Sequence, residues 1–172
     1  MKKFLLLSIL SLVLLADDLY FMPFQSKQAQ TKLLSWIDKA HSSIDIAMYS
    51  LTNRTIAKHI KNAARRGVKI RLVSDYEQSM KDRYSKIGYL AKYKNIKVRL
   101  IRGKYSKRGE FYGKMHLKLA IFDNKKLVFG SANWTNSAFK RNYELIYFAK
   151  NYALAKKALT TFERIFRKAQ EY

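Results

Sequence analysis

Apolar runs and helical spacings alternate along the chain. Residues 19–24 are short and apolar, and 27–40 place Leu33, Leu34, Ile37 and Ala40 at the spacing of an amphipathic helix. Residues 44–49 read as a strand, and Asn53 is placed to cap a helix that runs to about Arg66 and ends at Gly67. Residues 68–74 and 96–101 are further strands, with a helical stretch at 79–93 between them. Strands at 115–122 and 126–131 are joined by a tight turn at Asp123-Asn124, and 143–149 form another. Residues 151–170 make a long basic helix with Leu154, Ala158, Phe162, Ile165 and Phe166 on one face. This order predicts an α/β fold: a mixed β-sheet flanked by helices on both faces, as a single domain over 17–172. One Pro and no low-complexity tract leave no internal boundary, and no repeat is visible.

The first sixteen residues follow another pattern. Lys2 and Lys3 precede an unbroken run of apolar residues and Ser over 4–15, and Ala16 ends it before Asp17 and Asp18. That run suits a signal peptide and is short for a bilayer span, which needs about 20 residues. Residues 1–16 are therefore expected to be a signal peptide or an uncleaved N-terminal anchor. Either exports the protein, to the periplasm or to a membrane-associated place on the extracytoplasmic side.

Composition narrows the chemistry. The 172 residues carry 35 Lys and Arg against 12 Asp and Glu, a net charge of +23, with three His and no Cys. Without Cys there are no disulfides, thiolate zinc sites or cysteine nucleophiles. So few acids, spread along the chain, argue against a two-metal carboxylate site, and neither metal nor cofactor is expected. The charge points to a polyanion, either nucleic acid or an anionic membrane surface.

Candidate chemistry is concentrated in His116-Leu117-Lys118, Asp123, Gly130-Ser131-Ala132-Asn133 and Glu144. Side chains two apart on a strand share a face, so His116 and Lys118 point the same way and Leu117, Leu119 and Ile121 the other. Imidazole can attack phosphorus or deliver a proton, and Lys118 can hold the oxygens that gain charge. Ser131 and Asn133 can add neutral hydrogen bonds, and Glu144 can accept the second ring N–H of His116 and fix its tautomer. By parity Asp123 faces away from His116 and reads as a turn or scaffold residue.

H-x-K-x4-D followed by G-S-x-N resembles the signature of the phospholipase D superfamily, and the later Glu resembles its small bacterial Nuc-type endonuclease branch. The similarity includes the 42–50 strand and the RRGVKIRLVSD segment at 65–75. The resemblance implies phosphodiester hydrolysis through a covalent phosphohistidine, without metal, at a site built from two facing signature copies. This chain has one copy. His59-Ile60-Lys61 lies in an expected helix, where residues two apart diverge, and Arg66 occupies the place matching Asp123. The second copy is thus expected from another subunit of a homodimer.

The signature fixes the bond and leaves the substrate open. Residues 102–114 interleave five cations with Tyr105, Phe111, Tyr112 and three glycines, directly before the catalytic segment. Lys104, Lys107, Arg108 and Lys114 can track a phosphate backbone while the aromatics stack on bases, a combination suited to single strands. The same aromatics could equally pack locally, and Trp134 is placed either to line the cleft or to join the core. A second basic run, Lys81, Arg83, Lys86, Lys92 and Lys94, adds to a sequence-independent field. The leading expectation is a non-specific endonuclease for DNA, single strands favoured, with RNA a second candidate. The alternatives are a phospholipase D-type lipid phosphodiesterase at a membrane surface, with the N-terminal segment as its means of membrane association, and a DNA-binding module without catalysis.

Overall fold

The computed structural model describes residues 17–172, so the expected export segment at 1–16 lies outside the described residues. Strand β1 (Asp18–Met22) leads into helix α1 (Ser26–Asp38) and strand β2 (Ser43–Met48). Helix α2 (Arg54–Arg65) returns the chain to β3 (Lys69–Asp75). Two short helices, α3 (Tyr76–Lys81) and α4 (Ile87–Ala91), precede β4 (Ile96–Ile101). A small hairpin of β5 (Tyr105–Ser106) and β6 (Phe111–Tyr112) follows. Then come β7 (Lys118–Phe122), β8 (Lys126–Gly130), α5 (Asn136–Lys140), β9 (Glu144–Ala149), α6 (Tyr152–Lys168) and β10 (Gln170–Glu171).

Eight strands form one mixed sheet in the order β1-β9-β8-β7-β2-β3-β4-β10. The neighbours β2, β3 and β4 run parallel, because helices connect them, and every other adjacent pair is antiparallel. Alternation assigns the two faces. Ile44, Ile46 and Met48 of β2 pack with Leu33, Ile56, Leu90 and Phe139 from α1, α2, α4 and α5. Ala47 and Ile121 face the other way, beneath Ala155, Phe162 and Phe166 of α6. Helices therefore cover both faces, as the pattern predicts.

Local chemistry sets the ends of these elements. The Asn53, Asp75 and Asn151 side chains accept from the backbone N–H groups of Ile56, Gln78 and Leu154, capping α2, α3 and α6. Gly67, at φ +97°, turns the chain out of α2. The helix expected across 79–93 is broken in two. The Asp82 carboxylate accepts from Gln78 Nε2 at 3.1 Å and from the Tyr84 N–H at 2.9 Å, and residue 82 adopts an extended backbone. Leu154 lies outside the buried stripe of α6, where Ala155 packs instead. Beneath that helix Asp45 is 1% exposed and takes a two-pronged ion pair from Arg71, at 2.6 and 3.0 Å.

The β7–β8 turn ties the sheet to α1. Asp123 and Asn124 have φ of 51° and 56°, the type I′ pattern that follows strand twist. The Asp123 carboxylate accepts from the N–H groups of His41, Ser42 and Ser43 at 3.1, 2.8 and 3.1 Å, and from the Ser42 hydroxyl at 2.9 Å. Burial pushes this carboxyl's pKa up, but the Ser42, Ser43 and His41 donors outweigh it and hold the pKa below its ordinary value. Its contribution is present above the ordinary carboxylate range and is lost as pH falls through the lowered value. Asp123→Ala should cost about 2 kcal/mol at neutral pH. Urea unfolding at a series of pH values checks this: the variant should lose less stability on acidification than the wild type.

Candidate active site

His116 and Lys118 meet at the opposite end of β7 from Asp123. Strand β7 begins at Lys118, later than the sequence pattern predicts, and the Met115 N–H is diverted from the sheet to the Asp75 carboxylate at 2.9 Å. The chain at 117 is nevertheless held along β2 by the Tyr49 N–H, which donates to the Leu117 carbonyl at 2.9 Å. Lys118 Nζ lies 3.0 Å from His116 Nδ1, 3.1 Å from Nε2 and 2.9 Å from the His116 carbonyl oxygen. The ammonium can donate to whichever ring nitrogen is unprotonated. The Tyr49 ring lies 4.6 Å from the imidazole and 5.3 Å from Lys118 Nζ.

The electrostatics favour a neutral imidazole. Burial, then the Lys118 and Lys114 ammonium groups, lower the His116 pKa, while Asp75 and Glu144 pull it upward and do not prevail. Lys118 is nearly buried, and that burial lowers its pKa too. A neutral imidazole keeps a lone pair for attack, and a buried ammonium beside it is strongly attractive to a phosphate oxygen.

Ser131 and Asn133 follow the end of β8, two strands from β2. A Cβ on Gly130 would stand 2.3 Å from the Leu145 carbonyl oxygen, so glycine permits the close passage that brings Ser131 to β9. The Ser131 hydroxyl donates to Glu144 and accepts from the Leu145 N–H at 3.0 Å. Asn142 Nδ2 donates to the other Glu144 oxygen at 3.2 Å. The expected Glu144–His116 hydrogen bond is not formed. Glu144 starts β9, and β8 lies between it and β7, a gap of two strand spacings or about 10 Å. Glu144 acts on the imidazole through its charge alone. Asn133 Oδ1 is buried and has no hydrogen-bond partner.

Trp134 is 1% exposed and cannot line a cleft. Its carbonyl accepts from Thr52 and Asn53 N–H groups and its N–H donates to Ser50, which pins the loop after β8 to the segment after β2. Leu117, expected in apolar packing, is 40% exposed. Lys104, Tyr105, Lys107, Arg108, Phe111, Tyr112 and Lys114 are all exposed on or beside the β5–β6 hairpin, with the Tyr105 and Tyr112 rings 5.0 Å apart. His59 bonds Asp38 at 2.8 Å, away from Lys61, as its helical setting implies. Among the described residues no group of three or more His, Asp or Glu converges as a metal would require.

Sequence reasoning missed two neighbours of His116, Tyr49 and Asp75. Both end strands that were visible in the sequence, but their approach to residues 115–116 is a tertiary fact. The site also has apolar flanks. A hollow of about 340 Å³ joins His116 and Lys118 to Leu117, Phe129 and Leu154. Another, of about 550 Å³, joins Ser131 and Glu144 to Phe21, Phe24, Tyr143 and Leu145.

The family described as "Cardiolipin synthase, PLD-like domain" matches residues 33–166. The chain is 30% identical over 140 residues to mitochondrial cardiolipin hydrolase of Mus musculus, covering 81% of this chain and 59% of that protein. It is 34% identical over 123 residues to phospholipase D of Rickettsia conorii, covering 72% of this chain and 56% of that one. It thus spans a little over half the length of these curated relatives. Among solved structures, NucT from Helicobacter pylori superposes with a TM-score of 0.88 at 38% identity, covering 91% of this chain and 99% of that one. Nuc from Salmonella typhimurium, described as a phospholipase D family member, gives 0.75 at 27% identity, covering 91% and 97%.

The lowered imidazole pKa is directly measurable. An NMR titration of the His116 ring should have its midpoint below the ordinary 6.5. Lys114→Ala should move the midpoint upward, because removing a like charge favours the protonated ring. A midpoint above 6.5, or no response to Lys114→Ala, would contradict the assigned electrostatics.

Proposed function

The chain belongs to the phospholipase D-like family, and on that premise we propose that it is a metal-independent, sequence-non-specific endonuclease that hydrolyses DNA, single strands favoured. The observation that carries the reading is the contact between a lowered-pKa imidazole and a buried ammonium, His116 with Lys118, at an exposed sheet end. RNA offers the same backbone charge and is a second substrate in this reading. Nucleic acid is preferred to lipid for two reasons. The chain matches NucT and Nuc almost end to end but covers only 59% of cardiolipin hydrolase. Its charge is +23, with a basic aromatic hairpin leading into His116.

In this mechanism a ring nitrogen of His116 attacks phosphorus. A P–N bond forms as the bond to the leaving alcohol breaks, and the partner subunit's His116 gives that alcohol its proton. Lys118 and Asn133 hold the non-bridging oxygens as their charge grows. Water then attacks the phosphohistidine, the partner's His116 takes the water's proton, and the P–N bond breaks to release a phosphomonoester. Ser131 keeps Glu144 beside the site, where its negative charge favours the imidazolium form.

A second subunit is proposed because one chain carries one copy of the signature. The apolar side chains left open beside the site, Phe21, Leu117, Phe129, Tyr143 and Leu145, offer a face for it. The apolar run at 4–15 supports export, with the protein periplasmic or held at a membrane from the extracytoplasmic side.

Incubating the protein with circular single-stranded DNA in excess EDTA, with phosphatidylcholine vesicles in parallel, tests the reading. DNA fragmentation without choline release is expected; choline release alone would favour the lipid alternative, and retarded but intact DNA a binding module. His116→Ala should lower cleavage by about a thousandfold or more while leaving DNA binding near wild type. Light scattering should give the mass of a dimer. Phe21→Glu should yield monomers that do not cut; a fully active monomer would refute the shared site.

A further inference from the structure

Three consecutive residues across the junction of β3 and α3 grip both legs of the basic hairpin. On the incoming leg, the Arg102 guanidinium lies 3.5 Å over the Tyr76 ring. It also bonds Glu77, with Nε 3.0 Å from Oε1. Glu77 is steadied from its other side by Lys81 at 2.8 Å, and the donors from Lys81 and Arg102 hold its carboxyl below the ordinary pKa. On the outgoing leg, Asp75 Oδ2 accepts from the Met115 N–H at 2.9 Å, one residue before His116. The other oxygen of Asp75 caps α3 through the Gln78 N–H at 3.0 Å. Asp75 is 2% exposed, and its carboxylate accepts from two backbone N–H groups.

Between the gripped legs the hairpin has a narrow neck. The Gly103 N–H donates to the Gly113 carbonyl at 2.7 Å, and the Gly113 N–H to the Lys104 carbonyl at 2.9 Å. A Cβ on Gly103 would fall 2.4 Å from the Gly113 backbone, so the legs could not close with another residue there. Above the neck the aromatic stack continues. Arg102 lies 5.5 Å from the Tyr112 ring, whose centroid is 5.0 Å from that of Tyr105, and both tyrosines are about half exposed. Tyr76, Arg102, Tyr112 and Tyr105 thus form one line from the sheet edge to an open aromatic end.

We infer that Asp75, Tyr76 and Glu77 are positioning residues that hold the hairpin and the His116 imidazole in one fixed relation, so that an unpaired polynucleotide strand bound to the hairpin presents its phosphate to His116. The inference rests on the reading of His116 as nucleophile and of the hairpin as strand-binding. Two grips have two roles. Tyr76 and Glu77 set where the stacking platform stands, and so act on polynucleotide capture. Asp75 sets the backbone at residue 115 and places a negative charge near the ring, and so acts on the chemical step. The charged groups that face the imidazole are Lys118 and Lys114, which disfavour its protonation, and Asp75 and Glu144, which favour it.

Full-chain variants separate these roles with two substrates: a single-stranded oligonucleotide and bis(para-nitrophenyl) phosphate, a diester too small to span the hairpin and His116. Glu77→Gln, at a side chain 45% exposed, should raise KM for the oligonucleotide about threefold to tenfold, with kcat within about twofold. Asp75→Asn, which keeps shape but loses one acceptor and the charge, should lower kcat on both substrates about tenfold. It should also move the acidic limb of kcat/KM to lower pH, since a charge that favoured protonation has gone. An unchanged oligonucleotide KM in Glu77→Gln, or equal loss on both substrates, would overturn the hairpin grip. An unmoved acidic limb in Asp75→Asn would overturn its role at the ring. A wild type active on both substrates with indifferent variants defeats this inference alone, whereas a wild type that cleaves neither defeats the nuclease reading beneath it.

Discussion

Two basic side chains meet at the end of a strand, and much of the site can be understood from that contact. Lys118 is almost buried, and its Nζ touches both nitrogens of a neighbouring imidazole. Among the described residues neither group has an ion-pair partner of its own. Such a pair costs free energy until an anion arrives between its members. The depressed pKa values of both groups express that cost. A phosphodiester offers two non-bridging oxygens that share one negative charge, and an electrophilic phosphorus between them, so the substrate class proposed for the site offsets that cost.

The rest of the fold keeps this contact in place from a distance. The five residues of β7 form a short rod between β2 and β8. At one end Asp123 fastens the rod to the start of β2 through three backbone donors and a hydroxyl. At the other, Lys118 pairs in register with Met48 and projects its ammonium to His116. The motif's acid is thus separated from its base by the length of the strand. The acid holds the scaffold, and the base stands at the reactive end.

Much of this was legible from short-range rules. Apolar alternation located the strands and put His116 and Lys118 on one side. Positive-φ residue types located the turn at Asp123-Asn124, and Asn53, Asn151 and Gly67 marked helix ends. What was not legible depended on contacts distant in sequence. Trp134 is buried because Ser50, Thr52 and Asn53 hold its backbone, which no neighbouring residue announces. Glu144 bonds Ser131 and Asn142 and leaves the imidazole unbonded, which spacing along the chain does not reveal. The break at Asp82 came from a side chain competing for backbone donors, against a pattern that otherwise read as helix. Tyr49 and Asp75 are visible as strand ends, but only the sheet brings them to residues 115–116.

The Gly103–Gly113 neck closes the base of the hairpin with backbone hydrogen bonds that ask for glycine at 103 but for no particular side chain at residues 105–111. The hairpin is therefore a cassette. Substitutions above the neck can change the charge and aromatic surface of the hairpin without touching the hydrogen bonds of the sheet.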